Sequence, residues 1–244
     1  MKRLLAAGSG PIYQVCKAFR GGEAGARHNP EFTLLEWYRP GFSLAQLMEE
    51  VGELVGGVLE RSEWSTVSFA ALFEEILDLD PHRSTVAELE AAARARLDYA
   101  GGPEPRDTWL DLLFSHLVEP RLQERGLLFV TDYPASQAAL ARVREEGGVA
   151  LAERFELYVD GVELANGYRE LTDGAEQRRR FERDNVRLAE MGKPARPIDE
   201  RLLAALDSGL PDCAGVALGV DRLLMLREGE AKLPDLLAFD WGRS

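Results

Sequence analysis

Gly161-Val162-Glu163-Leu164-Ala165-Asn166-Gly167-Tyr168-Arg169-Glu170-Leu171 is the stretch on which the reading of this chain turns. Two carboxylates, Glu163 and Glu170, bracket an Asn-Gly pair inside an otherwise apolar run. A third, Glu156, lies upstream in Arg154-Phe155-Glu156-Leu157-Tyr158. Phe155, Leu157 and Val159 alternate with Glu156, Tyr158 and Asp160, and Asp160-Gly161 is a tight-turn signal, so the spacing predicts strand, turn, strand. Acid on a β-hairpin calls for something positive beside it. A metal ion, a ligand ammonium or an arginine would each serve.

Working outward, 244 residues suffice for a full core and suggest one domain, 1–244, with an insertion. The net charge of −13 speaks against nonspecific nucleic-acid binding, which needs a basic surface, while leaving room for a local basic groove. Cys16 and Cys213 show no pairing or metal-cluster pattern. No apolar run approaches the roughly 20 residues that span a membrane. The expectation is a soluble cytoplasmic protein.

Upstream of the hairpin, Ile12–Arg20 alternates as a strand and is followed by a loop with three glycines, ending at His28-Asn29-Pro30. A second strand runs over 31–39. Phe32, Leu34, Glu36 and Tyr38 share one of its faces, an aromatic platform, an acid and a phenol that could line one pocket. From about 41 to 126 the period turns helical, with Ser43, Ser84 or Thr85, and Asp107 or Thr108 as N-caps. This segment reads as a helical insertion between two parts of a sheet. Leu127–Asp132 is a short buried strand. Downstream of the hairpin, Asp173 caps a long charged helix carrying Arg178-Arg179-Arg180, whose arginines read as a solvated face. A helix at 198–206, a strand at 213–218 and a helix from Gly219 complete the chain. Asp221 reads as a first-turn acid interacting with backbone N–H groups. Taken singly, Glu36 and Glu170 would be surface strand acids, His28 a loop histidine and Arg222 a local salt bridge.

Four stretches in order carry a resemblance. They are His28-Asn29-Pro30-Glu31-Phe32-Thr33-Leu34-Leu35-Glu36-Trp37-Tyr38, Pro134-Ala135-Ser136-Gln137-Ala138, Glu163-Leu164-Ala165-Asn166-Gly167, and Pro211-Asp212-Cys213-Ala214-Gly215-Val216-Ala217-Leu218-Gly219-Val220-Asp221-Arg222. Together they resemble the catalytic core of class II aminoacyl-tRNA synthetases. Within that class the likeness is to the lysine branch and its shortened paralogues that modify elongation factor P. It covers essentially the whole chain. The implied fold is α+β, an antiparallel sheet flanked by helices.

The resemblance implies adenylate formation from ATP and a lysine-like amino acid. Arg20 and Arg222 would hold the phosphates and act in catalysis, as fixed guanidinium forks suit growing phosphoryl charge. Gly22, Glu23, His28, Asn29, Phe32, Glu163, Leu164 and Gly219 would complete the ATP site, with adenine stacked on Phe32. Glu156 and Glu163 would hold Mg²⁺. Glu36, Tyr38, Asn166, Glu170 and Ala217 would take (R)-β-lysine or lysine. Alanine at 217, where lysyl-tRNA synthetases carry glycine, goes in the family with a preference for β-lysine. With no anticodon-binding domain in the sequence, the expected acceptor is elongation factor P, not tRNA.

Two departures from the family pattern stand out. Gly21-Gly22 replaces the usual Asn-Glu, leaving Glu23 or backbone groups to make the ATP contact. Met1 aligns with an internal methionine of the family, so the dimer-forming first motif and a substrate-contacting Ser-Pro-Glu segment precede the matched region. A late-assigned start or a fragment is the first reading, a naturally short protein the second. The family's homodimer rests on that first motif, so the resemblance carries dimerisation only with it. The alternatives are the catalytic part of a lysyl-tRNA synthetase and a non-catalytic paralogue.

Overall fold

The computed structural model describes residues 1–243. Eight strands form one sheet: β1 (Ile12–Phe19), β2 (Glu31–Pro40), β3 (Trp64–Ser68), β4 (Leu127–Pro134), β5 (Val143–Glu146), β6 (Val149–Val159), β7 (Val162–Arg169) and β8 (Cys213–Gly219). The helices are α1 (Lys2–Ala6), α2 (Leu44–Leu59), α3 (Phe69–Leu77), α4 (Val86–Arg96), α5 (Arg106–Leu113), α6 (Gly174–Glu190), α7 (Glu200–Asp207) and α8 (Val220–Glu228). The sheet order is β1-β2-β8-β7-β6-β4-β3, with β5 paired to β6. Every pair is antiparallel except β3 with β4. This is the α+β architecture that the sequence implies. Among the described residues no helix is long and apolar enough to cross a membrane.

Local chemistry accounts for most element ends. Asp160 and Gly161 join β6 to β7 with φ of 48° and 75°, the paired left-handed conformation of a two-residue hairpin turn. Ser43 and Thr85 begin α2 and α4 with capping boxes closed by Gln46 and Glu88. Asp173 and Asp199 accept from the N–H groups of Glu176 and Leu202. The expected cap of α5 is corrected: the helix starts earlier, after Pro105, which has no side-chain cap. Beyond Leu113 the chain continues as a π turn (Phe114–Val118) and a 3₁₀ turn (Glu119–Glu124).

Alternation on β2 divides the two faces of the sheet. Trp37 packs with Leu47, Val51 and Val55 of α2 and with Leu157, Val216 and Leu218 of the sheet. The other face of the sheet carries the even-numbered residues of β2. At its β4 end, α3, α4 and α5 bury Phe69, Phe73, Leu89, Trp109 and Leu110 against Leu128, Val130 and Tyr158. Near its β2 end, α1 and α7 bury Leu5, Leu203 and Leu206 against Tyr38 and Cys213.

The reading of 41–126 as an insertion therefore needs correction. Helix α2 belongs to the core beneath the sheet, and β3, missed in the sequence, is an edge strand of it. Trp64–Ser68 is short, with two serines and a threonine, and lacks a buried alternating face.

Two glycines make room for aromatic rings from the next strand. A β-carbon on Gly167 would lie 2.3 Å from the Phe155 ring, and one on Gly215 would lie 2.4 Å from the Tyr38 ring. Each glycine is the register partner of that aromatic residue or lies opposite it across β2 and β8. Gly167→Ala is expected to destabilise the protein by about 1–3 kcal/mol through overpacking, and Phe155→Ala by about 3–5 kcal/mol through the cavity it leaves. Urea unfolding of both variants checks this, and equal stability to wild type would refute the packing assigned to the pair.

Candidate active site

The register sets one transverse line of side chains across the sheet. Gln14 faces Glu36, Glu36 faces Ala217, Ala217 faces Asn166, Asn166 faces Glu156, and Glu156 faces Val130. Neighbouring strands lie 4.7–4.9 Å apart, so Glu36 and Asn166 are roughly 10 Å apart with the Ala217 methyl between them. Two residues further along, the next line reads Tyr38, Gly215, Tyr168, Arg154. Between the helical groups this part of the sheet forms the floor of an open cleft of about 260 Å³.

The bulge between β6 and β7 decides what else reaches that floor. Strict alternation would place Glu163 and Asn166 on opposite faces. The register slips at Leu157/Tyr158, pairing Tyr158 with Glu163, and both Glu163 and Asn166 line the cleft.

Cations gather at one end. The Arg20 guanidinium lies over the Phe32 ring at 5.4 Å and pairs with Glu23 at 3.3 Å. Arg222, in the first turn of α8, donates to the carbonyls of Arg27 (3.1 Å) and Glu163 (2.6 Å) and to His28 Nε2 (2.7 Å). Guanidinium only donates, so His28 accepts through Nε2 and is the neutral tautomer protonated at Nδ1. Burial, and then the Arg222 charge, lower the His28 pKa, favouring that neutral form.

Asp221 is a first-turn acid on a backbone N–H, and that N–H belongs to β2. Its carboxylate accepts from the Thr33 N–H at 2.7 Å and so ties α8 to β2. Asn29 clamps its loop, donating to the Glu31 carbonyl and accepting from the Trp241 N–H.

Glu163 pairs with Arg222 at 3.5 Å. Its side chain is 41% exposed and lines the cleft. Burial, and then the neighbouring Glu156 charge, push its carboxyl up to about 7. An acid so placed is stabilised by an added cation.

Glu156 requires a correction. Expected as a second metal ligand, it is a buried acceptor hub. One carboxylate oxygen accepts from Arg154 and Asn166, the other from Tyr133 and Tyr158, both at 2.7 Å. Four donors fill its accepting positions and leave none for an ion. Among the described residues no group of three or more His, Cys, Asp or Glu side chains converges on one point. Mg²⁺ commonly binds through one or two carboxylates together with substrate phosphates and waters. Glu163 fits that demand, and Glu156 in this arrangement does not.

The third acid, Glu170, lies at the far end. It is buried beside Tyr38 and Gly215 and forms an ion pair with Lys2 of α1. Tyr38 donates its hydroxyl to Glu36. Burial, then the Glu170 charge, then the bond to Glu36 raise the Tyr38 pKa, so the phenol stays protonated and donating.

Of the residues singled out in the sequence, Arg20, Glu23, His28, Asn29, Phe32, Glu163, Leu164, Asn166, Ala217, Gly219 and Arg222 line the one cleft. Gly22 does not; it forms the turn behind Glu23, with φ of 83°. Glu36, Tyr38 and Glu170 do not line it: Glu36 lies beyond Ala217, its register partner, and Tyr38 and Glu170 are buried next to Gly215. Sequence reasoning missed Arg27, Tyr168 and Asp221 in the wall. Tyr168 could have been found from its two-residue spacing to Asn166. It also missed Arg154, which spans Asn166, the Gln137 carbonyl and Glu156 and lies over the Tyr133 ring at 4.5 Å.

Arginines and a histidine at one end of an antiparallel sheet floor, with acids at the other, are arranged to hold a phosphate chain next to an ammonium. Residues 1–241 match the family model of class II tRNA synthetases (D, K and N), and the chain belongs to that family. Among curated proteins it is similar to the elongation factor P--(R)-beta-lysine ligase of Edwardsiella ictaluri. The two are 52% identical over 247 residues, covering 100% of this chain and 75% of that protein. The proteins of the same name from Proteus mirabilis and Photorhabdus laumondii are 53% and 52% identical, each over 98% of this chain and 74% of theirs.

Arg154→Met would leave Glu156 buried without its cation, and loss of one partner from such a pair costs about 3–5 kcal/mol. Chemical denaturation is expected to show that loss, with Arg154→Met/Glu156→Gln recovering part of it. A variant as stable as wild type would remove the hub from the fold's supports.

Proposed function

We propose that the protein activates (R)-β-lysine, or lysine, with ATP and passes the aminoacyl group to a lysine side chain of elongation factor P. The observation that carries this is the single sheet floor on which the Arg20–His28–Arg222 end runs into the Glu36–Tyr38 end. The relatives at about half identity, named for this ligation, support it.

The chemistry needs no protein nucleophile. A substrate carboxylate oxygen attacks the α-phosphorus of ATP, and pyrophosphate leaves. The acceptor amine then attacks the adenylate carbonyl, AMP leaves, and the amine proton goes to solvent. Positioning and neutralisation of phosphoryl charge supply the acceleration. Arg20 and Arg222 hold the phosphates, and Phe32 offers its ring to adenine. Glu23, His28, Asn29, Leu164 and Gly219 complete the nucleotide site, with Gly22 shaping the turn that lets Glu23 reach the cleft where the family's glutamate is missing. Glu163 would be the chain's own acid for Mg²⁺, which when bound with ATP would offset phosphate charge. Glu36, Tyr38, Glu170 and Asn166 receive the amino acid over Ala217.

The rest of the reading follows the family. Elongation factor P is the acceptor in preference to tRNA, and the cytoplasm is its setting. A homodimer has a fitting surface in the open edge of β1, where Tyr13, Val15 and Phe19 are exposed.

Amino-acid-dependent exchange of pyrophosphate into ATP, followed by transfer to elongation factor P, tests the reading. Arg222→Ala is expected to lower exchange by on the order of a hundredfold or more. Ala217→Gly is expected to shift preference from (R)-β-lysine toward lysine. Charging of tRNA with no transfer to protein would replace this reading with the synthetase one.

The pH dependence has a definite sign. Glu163 is protonated below about pH 7 and ionised above it. Affinity for ATP with Mg²⁺ should therefore rise as pH rises through that value. Titration calorimetry in buffers of different ionisation heat should show a proton released on binding, and Glu163→Gln should abolish both effects. The same raised pKa has the opposite sign for stability. The folded state holds the proton more tightly than the unfolded chain, a contribution lost as pH rises through about 7.

A further inference from the structure

The loop between β1 and β2 supplies Glu23, Arg27, His28 and Asn29 to the cleft wall. Its base is closed by the Arg20 N–H on the Pro30 carbonyl (2.9 Å), and a bridge joins Gly25 to His28. Gly21, Gly22 and Gly25 make it costly to hold in one conformation. Two of its supports come from the stretch that follows α8. The Leu233 N–H donates to the Ala26 carbonyl at 2.8 Å, and the Trp241 N–H donates to the Asn29 side-chain oxygen at 3.0 Å. Leu233 is buried, packs with Val162 and Met225, and itself lines the cleft.

Asp240 and Arg243 hold that stretch in shape. The buried Asp240 carboxylate accepts from the Gly242 N–H and from Arg243 Nε, both at 2.7 Å. The Arg243 guanidinium also donates to the carbonyls of Pro234 and Leu237. The knot so closed fixes where the Trp241 N–H lies, while the Trp241 ring stays exposed. We propose that segment 233–243 is a positioning element of the nucleotide site, with Asp240 as its key side chain. The segment reaches the loop through two backbone donors and keeps His28 and Asn29 where ATP meets them. A loop held in place beforehand costs less ordering entropy when the nucleotide binds. Both bonds end on the loop, so ATP binding is the step they serve. This inference rests on the nucleotide reading of the cleft.

Pyrophosphate exchange, thermal melting and amide hydrogen exchange on the full chain test it, with wild type, Asp240→Ala, Trp241→Pro and Trp241→Ala. Asp240→Ala should raise KM for ATP about fivefold, the weight of one hydrogen bond, with KM for the amino acid and the melting temperature unchanged. Trp241→Pro deletes the N–H and should match it, whereas Trp241→Ala keeps the N–H and should raise KM for ATP less. Amides of residues 23–30 should exchange faster in Asp240→Ala. In wild type, ATP with Mg²⁺ should slow exchange over residues 235–243, because coupling between two sites is reciprocal. An unchanged KM for ATP in both Asp240→Ala and Trp241→Pro overturns the inference. So does a rise of both KM values together with a lower melting temperature, which would mark general stability, or a Trp241→Ala as impaired as Trp241→Pro, which would mark the ring. Should the variants fail to fold, the wild-type hydrogen exchange decides, and no slowing over 235–243 overturns the inference. If wild type binds no ATP in calorimetry, the nucleotide reading itself fails, and this inference goes with it.

Discussion

The antiparallel register that puts Glu36, Ala217, Asn166 and Glu156 in one line is the constraint on which the rest of the site depends. Hydrogen-bonded strands hold side chains at a fixed pitch, so four residues from four strands share a floor without any loop having to place them. A slip of one residue in any pair would send that strand's contribution to the opposite face, into the α2 core. The apolar alternation that fills that core with Trp37, Leu157, Val216 and Leu218 is therefore also what keeps the polar set in the cleft.

Electrostatics then divides the floor. Arg222 and His28 form a neutral-acceptor and cation pair at the phosphate end, and Glu36, Tyr38 and Glu170 form the acidic end. The buried hub at Glu156 lies between α3–α5 and the cleft and is fully satisfied by donors. A satisfied buried network is rigid, because every alternative rotamer strands a polar group. Asn166 is part of it: its carbonyl oxygen accepts from Arg154, and its amide donates to Glu156. The orientation of the Asn166 amide on the floor is thus set from behind.

Much of this was legible in the residues. The Asp160-Gly161 turn, the Ser43 and Thr85 caps and the shared face of Phe32, Leu34, Glu36 and Tyr38 follow from local stereochemistry, which operates over a few residues. The cleft residues from Arg20 to Phe32, from Glu163 to Asn166 and from Ala217 to Arg222 stood out because their order along the chain resembles a known family. Strand β3 was not legible: its polar residues pair at a sheet edge, where no buried face imposes a period. Nor was the place of α2, since its apolar stripe shows only that it packs, not against what.

The sequence by itself determined the hairpin and the faces of β2, which rest on neighbours close in the chain, and, through the resemblance its ordered stretches carry, the class of fold and the set of chemically capable residues. Tertiary structure alone decided three things. A bulge turned Glu163 onto the face of Asn166, packing made Glu156 a donor-filled hub in place of a metal ligand, and α1 delivered Lys2 to Glu170. Each depends on contacts between segments far apart in sequence, where the outcome is set by which groups burial leaves unpaired and which partner the fold brings within reach.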